Sequence, residues 1–224
     1  MLRRQREFAR GRHCAVQALQ QVGWRSTESL VADAARELGP AVGGPAVGVN
    51  PDRSPVWPAG YVGSISHSRH WVCAVAAATA DYRGVGLDTE VLIPAATRDL
   101  VREEVASEQE WALLQSYLPA AQAVTTLFSA KESFFKLWYP LTQQFLNFRD
   151  VELQAVAPVA SARASSVAPD EPRIVLGLTH RPGNGQTLVA DFHEVHARWV
   201  GDDVITLTWL PTSGPPTREP GADG

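Results

Sequence analysis

The sequence predicts an α+β fold in two roughly equal halves, and three observations carry that prediction. A helix-period stripe opens the chain, and three strand-like runs follow it between residues 61 and 90. Helical periodicity then returns before a last set of strands closes the chain. The 224 residues suit one domain or two small ones, and 45% apolar content is enough for a buried core.

The first helix is expected over residues 4–22. On a wheel of about 100° per residue, Phe8, Ala15, Leu19 and Val22 form one apolar stripe. Arg4 and Arg12 fall on that stripe, whereas Arg3, Arg6 and Arg10 gather opposite. A solvated charge avoids an inward face, so Arg4 and Arg12 are expected to meet an anion or a buried carboxylate. Residues 39–60, rich in Gly, Pro and Val, read as loop. The strand-like runs are YVGSIS, WVCAVAAA and RGVGLDTE. Helices are then expected near 98–104, 107–117 and 123–139, with Ser107 and Glu110 spaced as a capping box. Later strands are expected at 149–156, 172–179, 186–192 and 203–210. Residues 157–171 read as a surface loop, and the Pro/Gly-rich tail over 211–224 as disordered.

Composition removes several classes. The net charge of −4 provides no basic field for nucleic acid. No apolar run approaches the roughly 20 residues of a membrane span. The N-terminus has no apolar signal core, and Glu7 with a lack of serine argues against a transit peptide. Cys14 and Cys73 have no CxxC spacing and are read as thiols in a reducing cytoplasm. Of the 20 basic residues only Lys131 and Lys136 are lysine, and they bracket Glu132. Lysine is a compact charge whose pKa moves readily, so it can bind phosphate and also transfer a proton.

Three short motifs carry chemistry. In GVGLDTE, Asp88 and Glu90 stand two apart on a strand, so both carboxylates leave one face while Val85 and Leu87 face the other. Such a pair suits Mg²⁺, although a solvated strand end reads the same way. In FSAKESFFK, the residues Leu127, Ala130, Phe134, Leu137, Trp138 and Leu141 make an apolar stripe. Glu132, Lys136 and Ser129 point away from it, and Lys131 lies at its edge. A surface Glu–Lys pair at i, i+4 would be worth a few tenths of a kcal/mol. Phe128 and Phe135 flank Glu132, however, and imply that this face lines a cleft or meets another element. In GSISHSRHW, small residues and a histidine close a strand and can present N–H, hydroxyl and imidazole groups to a phosphate. His67 is ambiguous alone, whereas His13 and His70 are read as structural.

Taken in order, the N-terminal arginines, R-x-P-x-W-P, G-S-I-S-H, G-x-G-x-D-x-E and F-S-x-K-E-S-x-F-K resemble the 4′-phosphopantetheinyl transferases. The likeness is to the larger, synthetase-activating type, of the enterobactin-synthetase branch and its actinobacterial relatives. It runs from about Arg4 to Phe148, with a weaker echo in HARWVGDDVITLTWL.

The resemblance implies a pseudo-twofold pair of similar α/β halves, each a small, mostly antiparallel sheet packed with helices. Residues 1–92 would form the first half and 93–210 the second. It implies transfer of the phosphopantetheine arm of coenzyme A to a serine of apo acyl or peptidyl carrier proteins. Those carriers belong to polyketide, nonribosomal peptide (including siderophore) or fatty acid synthases. By the same resemblance Asp88, Glu90 and Glu132 bind Mg²⁺, with Mn²⁺ as an alternative. Glu132 and Lys136 are catalytic, and Lys131 contacts coenzyme A. Arg4, Arg12 and His67 hold the 3′-phosphate, with Arg53 and Ser66 near the nucleotide. A cytoplasmic monomer with no nucleic-acid or membrane partner is expected. A non-catalytic relative should have lost one of Asp88, Glu90, Glu132 or Lys136, and all four are present. A different Mg²⁺-dependent nucleotide enzyme would need a GxxxxGK[ST] loop, which the chain lacks.

Overall fold

The computed structural model describes residues 2–24, 47–158, 173–180 and 193–212. Helix α1, Leu2–Gln21, packs on the hairpin of β3, Tyr61–His67, and β4, Val72–Ala78. Its buried line is Gly11, Ala15 and Leu19, one residue per turn. Phe8, expected inside, is 51% exposed. A side chain larger than glycine at position 11 would press on Ile65, whose Cγ2 lies 3.0 Å from an added Cβ. The contact line therefore runs through the smallest residues and leaves Phe8 outside it.

Two short strands, β1 at Gly48–Val49 and β2 at Pro55–Val56, form a small hairpin in the stretch expected as loop. The third expected run is β5, Tyr82–Val91. Helices α2, Ala95–Val105, and α3, Glu108–Gln115, follow, and the Ser107–Glu110 capping box forms in both directions. Helix α4 covers Ala120–Thr142 and runs past Pro140. Proline there removes only a late intrahelical bond, and Gln143 ends the helix in the left-handed region at φ 55°.

After a 3₁₀ turn at Phe148–Asp150 come β6, Val151–Pro158, β7, Arg173–His180, β8, His193–Val200, and β9, Asp203–Pro211. The expected strand at 186–192 lies outside the described residues, as do most of the 157–171 loop and the tail beyond residue 212. Strand β8 pairs with both β7 and β9, so His193–Val200 is a strand that sequence periodicity did not single out.

The five-stranded sheet has the order β5-β9-β8-β7-β6 and is antiparallel throughout. Its inner face takes the apolar stripe of α4, with Leu127, Ala130 and Phe134 fully buried against Val195, Ala197, Trp199 and Val204. Close packing along β5 explains its glycines. A Cβ on Gly86 would lie 1.9 Å from the carbonyl oxygen of Ser133, and one on Gly84 would lie 2.9 Å from Leu137. Positions 84, 86, 88 and 90 share one strand face. The glycines let α4 come near, and the two acids then point along its flank.

Candidate active site

Strand β3 does not join β5 through a backbone ladder. Two serine side chains connect them instead. The Leu87 amide donates to Ser64 Oγ at 3.0 Å, and the Thr89 amide donates to Ser66 Oγ at 3.3 Å. The i, i+2 spacing of Ser64 and Ser66 puts both on the face turned toward β5.

Asp88 sits where β3, β5 and α4 meet, and it is 3% exposed. Its Oδ1 accepts from Ser66 Oγ at 2.8 Å and from the Lys136 ammonium at 2.7 Å. Its Oδ2 accepts from Ser129 Oγ at 2.8 Å. Lys136 also donates to Ser66 Oγ at 2.9 Å, and its side chain keeps 28% exposure. Among the described residues, one ammonium proton thus remains for a ligand. Thr206, opposite Asp88 in the β5–β9 register, supports this arrangement by donating to the Ser129 carbonyl at 2.8 Å.

Glu90 and Glu132 complete the acidic group. Burial pushes the Glu90 carboxyl up to about 7, helped by the charges of Asp88 and Glu132 and opposed by Lys136. Glu132 is raised first by burial and then by Asp88, with Lys136 again opposing. These mutual effects place three carboxylates and one lysine in a single electrostatic neighbourhood. A divalent cation would relieve the strain on all three acids, and an all-oxygen donor set is the kind that Mg²⁺ prefers. Among the described residues, no three His, Cys, Asp or Glu side chains are gathered closely enough to hold a metal ion. Asp88 instead has Lys136 beside it in the position of a counter-cation.

The other expected residues fall into two groups. Arg12 is half-buried over the Phe8 ring, 4.9 Å from its centroid, and burial lowers its pKa. Its buried Nη1 has no hydrogen-bond partner among the described residues, which fits an anion site. Helix α1 carries Arg4, but its side chain lies outside the described residues. His67 ends β3 and is exposed. Arg53 holds φ 73°, uncommon for a residue with a side chain, in a loop tightened by Ser54–Asp52 bonds. It lines a cavity of 660 Å³ with Trp57, Arg83, Lys136, Tyr139 and Phe145. A second cavity of 230 Å³ is lined by Lys131, Glu132 and Phe148, among others, and Phe135 and Phe145 line both.

Lys131 stands apart from the Asp88 network. It is 2% exposed, and its ammonium meets Val105 O at 2.7 Å, Phe148 O at 3.0 Å and Glu110 Oε1 at 2.7 Å. Its three donors are thereby used within the protein. Burial lowers its pKa, and Glu110 opposes that shift.

Ser64, Ser129 and Thr206 were not marked as site residues by the sequence motifs. Ser129 had a signal, since the helical wheel puts it on the face of Glu132. Ser64 could have been read from its i, i+2 relation to Ser66. Thr206 had none, because its place opposite Asp88 depends on which strand pairs with β5.

The family profile described as "4′-phosphopantetheinyl transferase N-terminal domain" matches residues 1–77, and that of the "4′-phosphopantetheinyl transferase superfamily" matches residues 84–167. The chain is 34% identical over 173 residues to the 4′-phosphopantetheinyl transferase Svp of Streptomyces mobaraensis, covering 76% of this chain and 65% of that one. It is 30% identical over 197 residues to Npt of Nocardia iowensis, covering 84% and 79%. To enterobactin synthase component D of Salmonella typhimurium it is 33% identical over 136 residues, covering 60% and 48%. The match thus spans between about half and four fifths of the length of these relatives.

Proposed function

Because the chain belongs to the 4′-phosphopantetheinyl transferase superfamily, we propose that it transfers 4′-phosphopantetheine from coenzyme A to a serine of apo acyl or peptidyl carrier proteins. The observation that carries this reading is the meeting of Asp88, Lys136 and Ser66 at 2.7–2.9 Å, beside the two raised carboxyls of Glu90 and Glu132. In the reaction, the carrier serine oxygen forms a bond to the β-phosphorus. The bond from that phosphorus to the bridging oxygen breaks, and adenosine 3′,5′-bisphosphate leaves.

Glu132 takes the serine proton; a raised carboxyl pKa makes it a stronger base near neutral pH. The free proton of Lys136 faces the departing phosphate and neutralises its new charge. Asp88, Glu90 and Glu132 would hold Mg²⁺, which supplies charge neutralisation on the pyrophosphate. Arg4, Arg12 and His67 bind the 3′-phosphate, and the buried Nη1 of Arg12, without a hydrogen-bond partner among the described residues, supports that assignment. Arg53 and Ser66 lie beside the nucleotide. A direct contact from Lys131 to coenzyme A would require it to give up one of its three internal bonds, so its part in the proposal is to hold α4 in place.

The site is shared between an N-terminal half, residues 1–92, and a C-terminal half, 93–210, and the chain acts as a cytoplasmic monomer. No described helix is long and apolar enough to cross a membrane. Incubation with coenzyme A and Mg²⁺ should add about 340 Da to an apo carrier protein, the mass of the transferred arm. Absence of any gain on several unrelated carriers would sink the proposal. Glu132→Gln should abolish the gain while the protein still melts cooperatively; unchanged turnover would remove Glu132 from the mechanism.

A further inference from the structure

The geometry points to Asp203 as a positioning residue that fastens the turn after His67 to the five-stranded sheet. The inference deepens the reading above and rests on its assignment of His67 to the 3′-phosphate. Asp203 opens β9, directly after the turn at Gly201 and Asp202. Its carboxylate is 4% exposed, far from the usual state of an aspartate at a strand end. One oxygen accepts from Ser68 Oγ at 2.9 Å, and the other meets His70 Nδ1 at 2.7 Å. Both partners come from the β3–β4 turn, about 135 residues away in sequence.

That turn is itself built around Ser68. Its Oγ accepts from the amides of His70 at 3.3 Å and Trp71 at 3.2 Å, while its own amide donates to Trp71 O at 2.9 Å. The Ser68 hydroxyl therefore organises the turn with its lone pairs and anchors it with its proton. The anchor is needed because β3 has no backbone ladder to the large sheet. Ser64 and Ser66 connect its middle to β5, but past Ser66 the strand end has Asp203 as its polar attachment among the described residues. His67 is the residue between those two attachments.

The other end of the fastening reaches the carboxylate side of the site. In the β5–β9 register Asp203 faces Val91, and its neighbour Val204 faces Glu90. Asp203 thus sets the position of His67, on one wall, relative to Glu90 on the other. Coenzyme A must touch both walls if the 3′-phosphate and pyrophosphate readings hold. A wall displaced by about 1 Å weakens the contacts that only it makes. Loss of Asp203 should therefore be felt chiefly through the 3′-phosphate.

The test is calorimetric binding of coenzyme A and of 3′-dephospho-coenzyme A, with Mg²⁺, to the full chain and its Asp203→Ala variant. The full chain should prefer coenzyme A by at least about tenfold. The variant should lose most of that preference, with its affinity for the dephospho ligand changed by less than about twofold. A general loosening of the fold would weaken both ligands together, and that result overturns the inference. Should Asp203→Ala not fold, Ser68→Ala and His70→Ala each remove one strand of the fastening at the surface and should show the same selective loss, at about threefold. Full preference in both of those variants likewise overturns it. A full chain that binds the two ligands alike defeats the 3′-phosphate assignment itself, whereas preference retained in the variants defeats only the role of Asp203.

Discussion

Lys136 holds its ammonium 2.7 Å from Asp88 and 2.9 Å from Ser66, in a pocket whose acceptors are already spaced for a small cation. A guanidinium is planar, spreads its donors over a fork, and keeps its proton at any working pH. Lys136→Arg therefore keeps the charge but should cut turnover at least about tenfold while coenzyme A affinity changes less, which a kcat-against-KM comparison reads. Undiminished turnover would mean that lysine stands here for a reason other than its size or proton. Glu90 carries the pH dependence. Its carboxyl is raised from 4.5 to about 7 in the folded chain, so the folded state binds the proton more tightly than the unfolded one. Its contribution to stability is full below 4.5 and is lost as pH rises through about 7. In chelator, Glu90→Gln should flatten the fall in melting temperature between pH 5 and pH 8. A slope identical to that of the parent would show that another group titrates there. Divalent cation should restore stability most at the upper end of that range, where Glu90 is charged.

Helix α4 does two jobs at once, and its neighbours show how. Its apolar stripe closes the core, while Ser129, Glu132 and Lys136 face β5 and the cleft. Both depend on a close approach that Gly86 permits. Gly86→Ala would put a methyl group 1.9 Å from a backbone oxygen, which no rotamer change can relieve. Urea unfolding should show a loss of roughly 3 kcal/mol or more, with transfer activity falling as α4 is pushed from Asp88. Along the same helix, Lys131 ties α4 to the end of α2 and to the capping box of α3 through Val105 and Glu110. Glu110 also accepts from the Leu153 amide, so one buried carboxylate joins α3, α4 and β6. Lys131→Met leaves that charge unpaired and should cost about 3–5 kcal/mol. Adding Glu110→Gln should recover part of the loss in a double-mutant cycle, and an additive result would mean that the two residues are not coupled.

At the scale of the molecule, one β-strand belongs to two neighbourhoods. β5 lies beside β3 through serine side chains and beside β9 through a full ladder, so the first strands of the chain and its last one surround the same acids. Local patterning anticipated most of the parts. Strand-like runs marked β3, β4, β5 and β9, helical periodicity marked α1 and α4, and the Ser107–Glu110 spacing marked the start of α3. It also put Glu132, Lys136 and Ser129 on one face and both acids of GVGLDTE on another, because side-chain direction repeats every 3.6 or 2 residues whatever the rest of the chain does. The sequence reading did not single out β8, although its buried Val195, Ala197 and Trp199 alternate with Glu194, His196 and Arg198, and the wheel kept Phe8 inside α1. A wheel gives the direction of a stripe but not the partner it must fit, and against Ile65 the partner required glycine. What tertiary structure alone decided is which polar groups meet. Asp88 with Ser66, Ser129 and Lys136, Lys131 with Glu110, and Asp203 with the turn after His67 all join residues that are 21 to 135 apart in sequence. Chain order carries the type and facing of each residue, which are local properties. The choice of partner follows from how strands pair and how closely a helix can settle on them, and those are settled only when the whole chain packs.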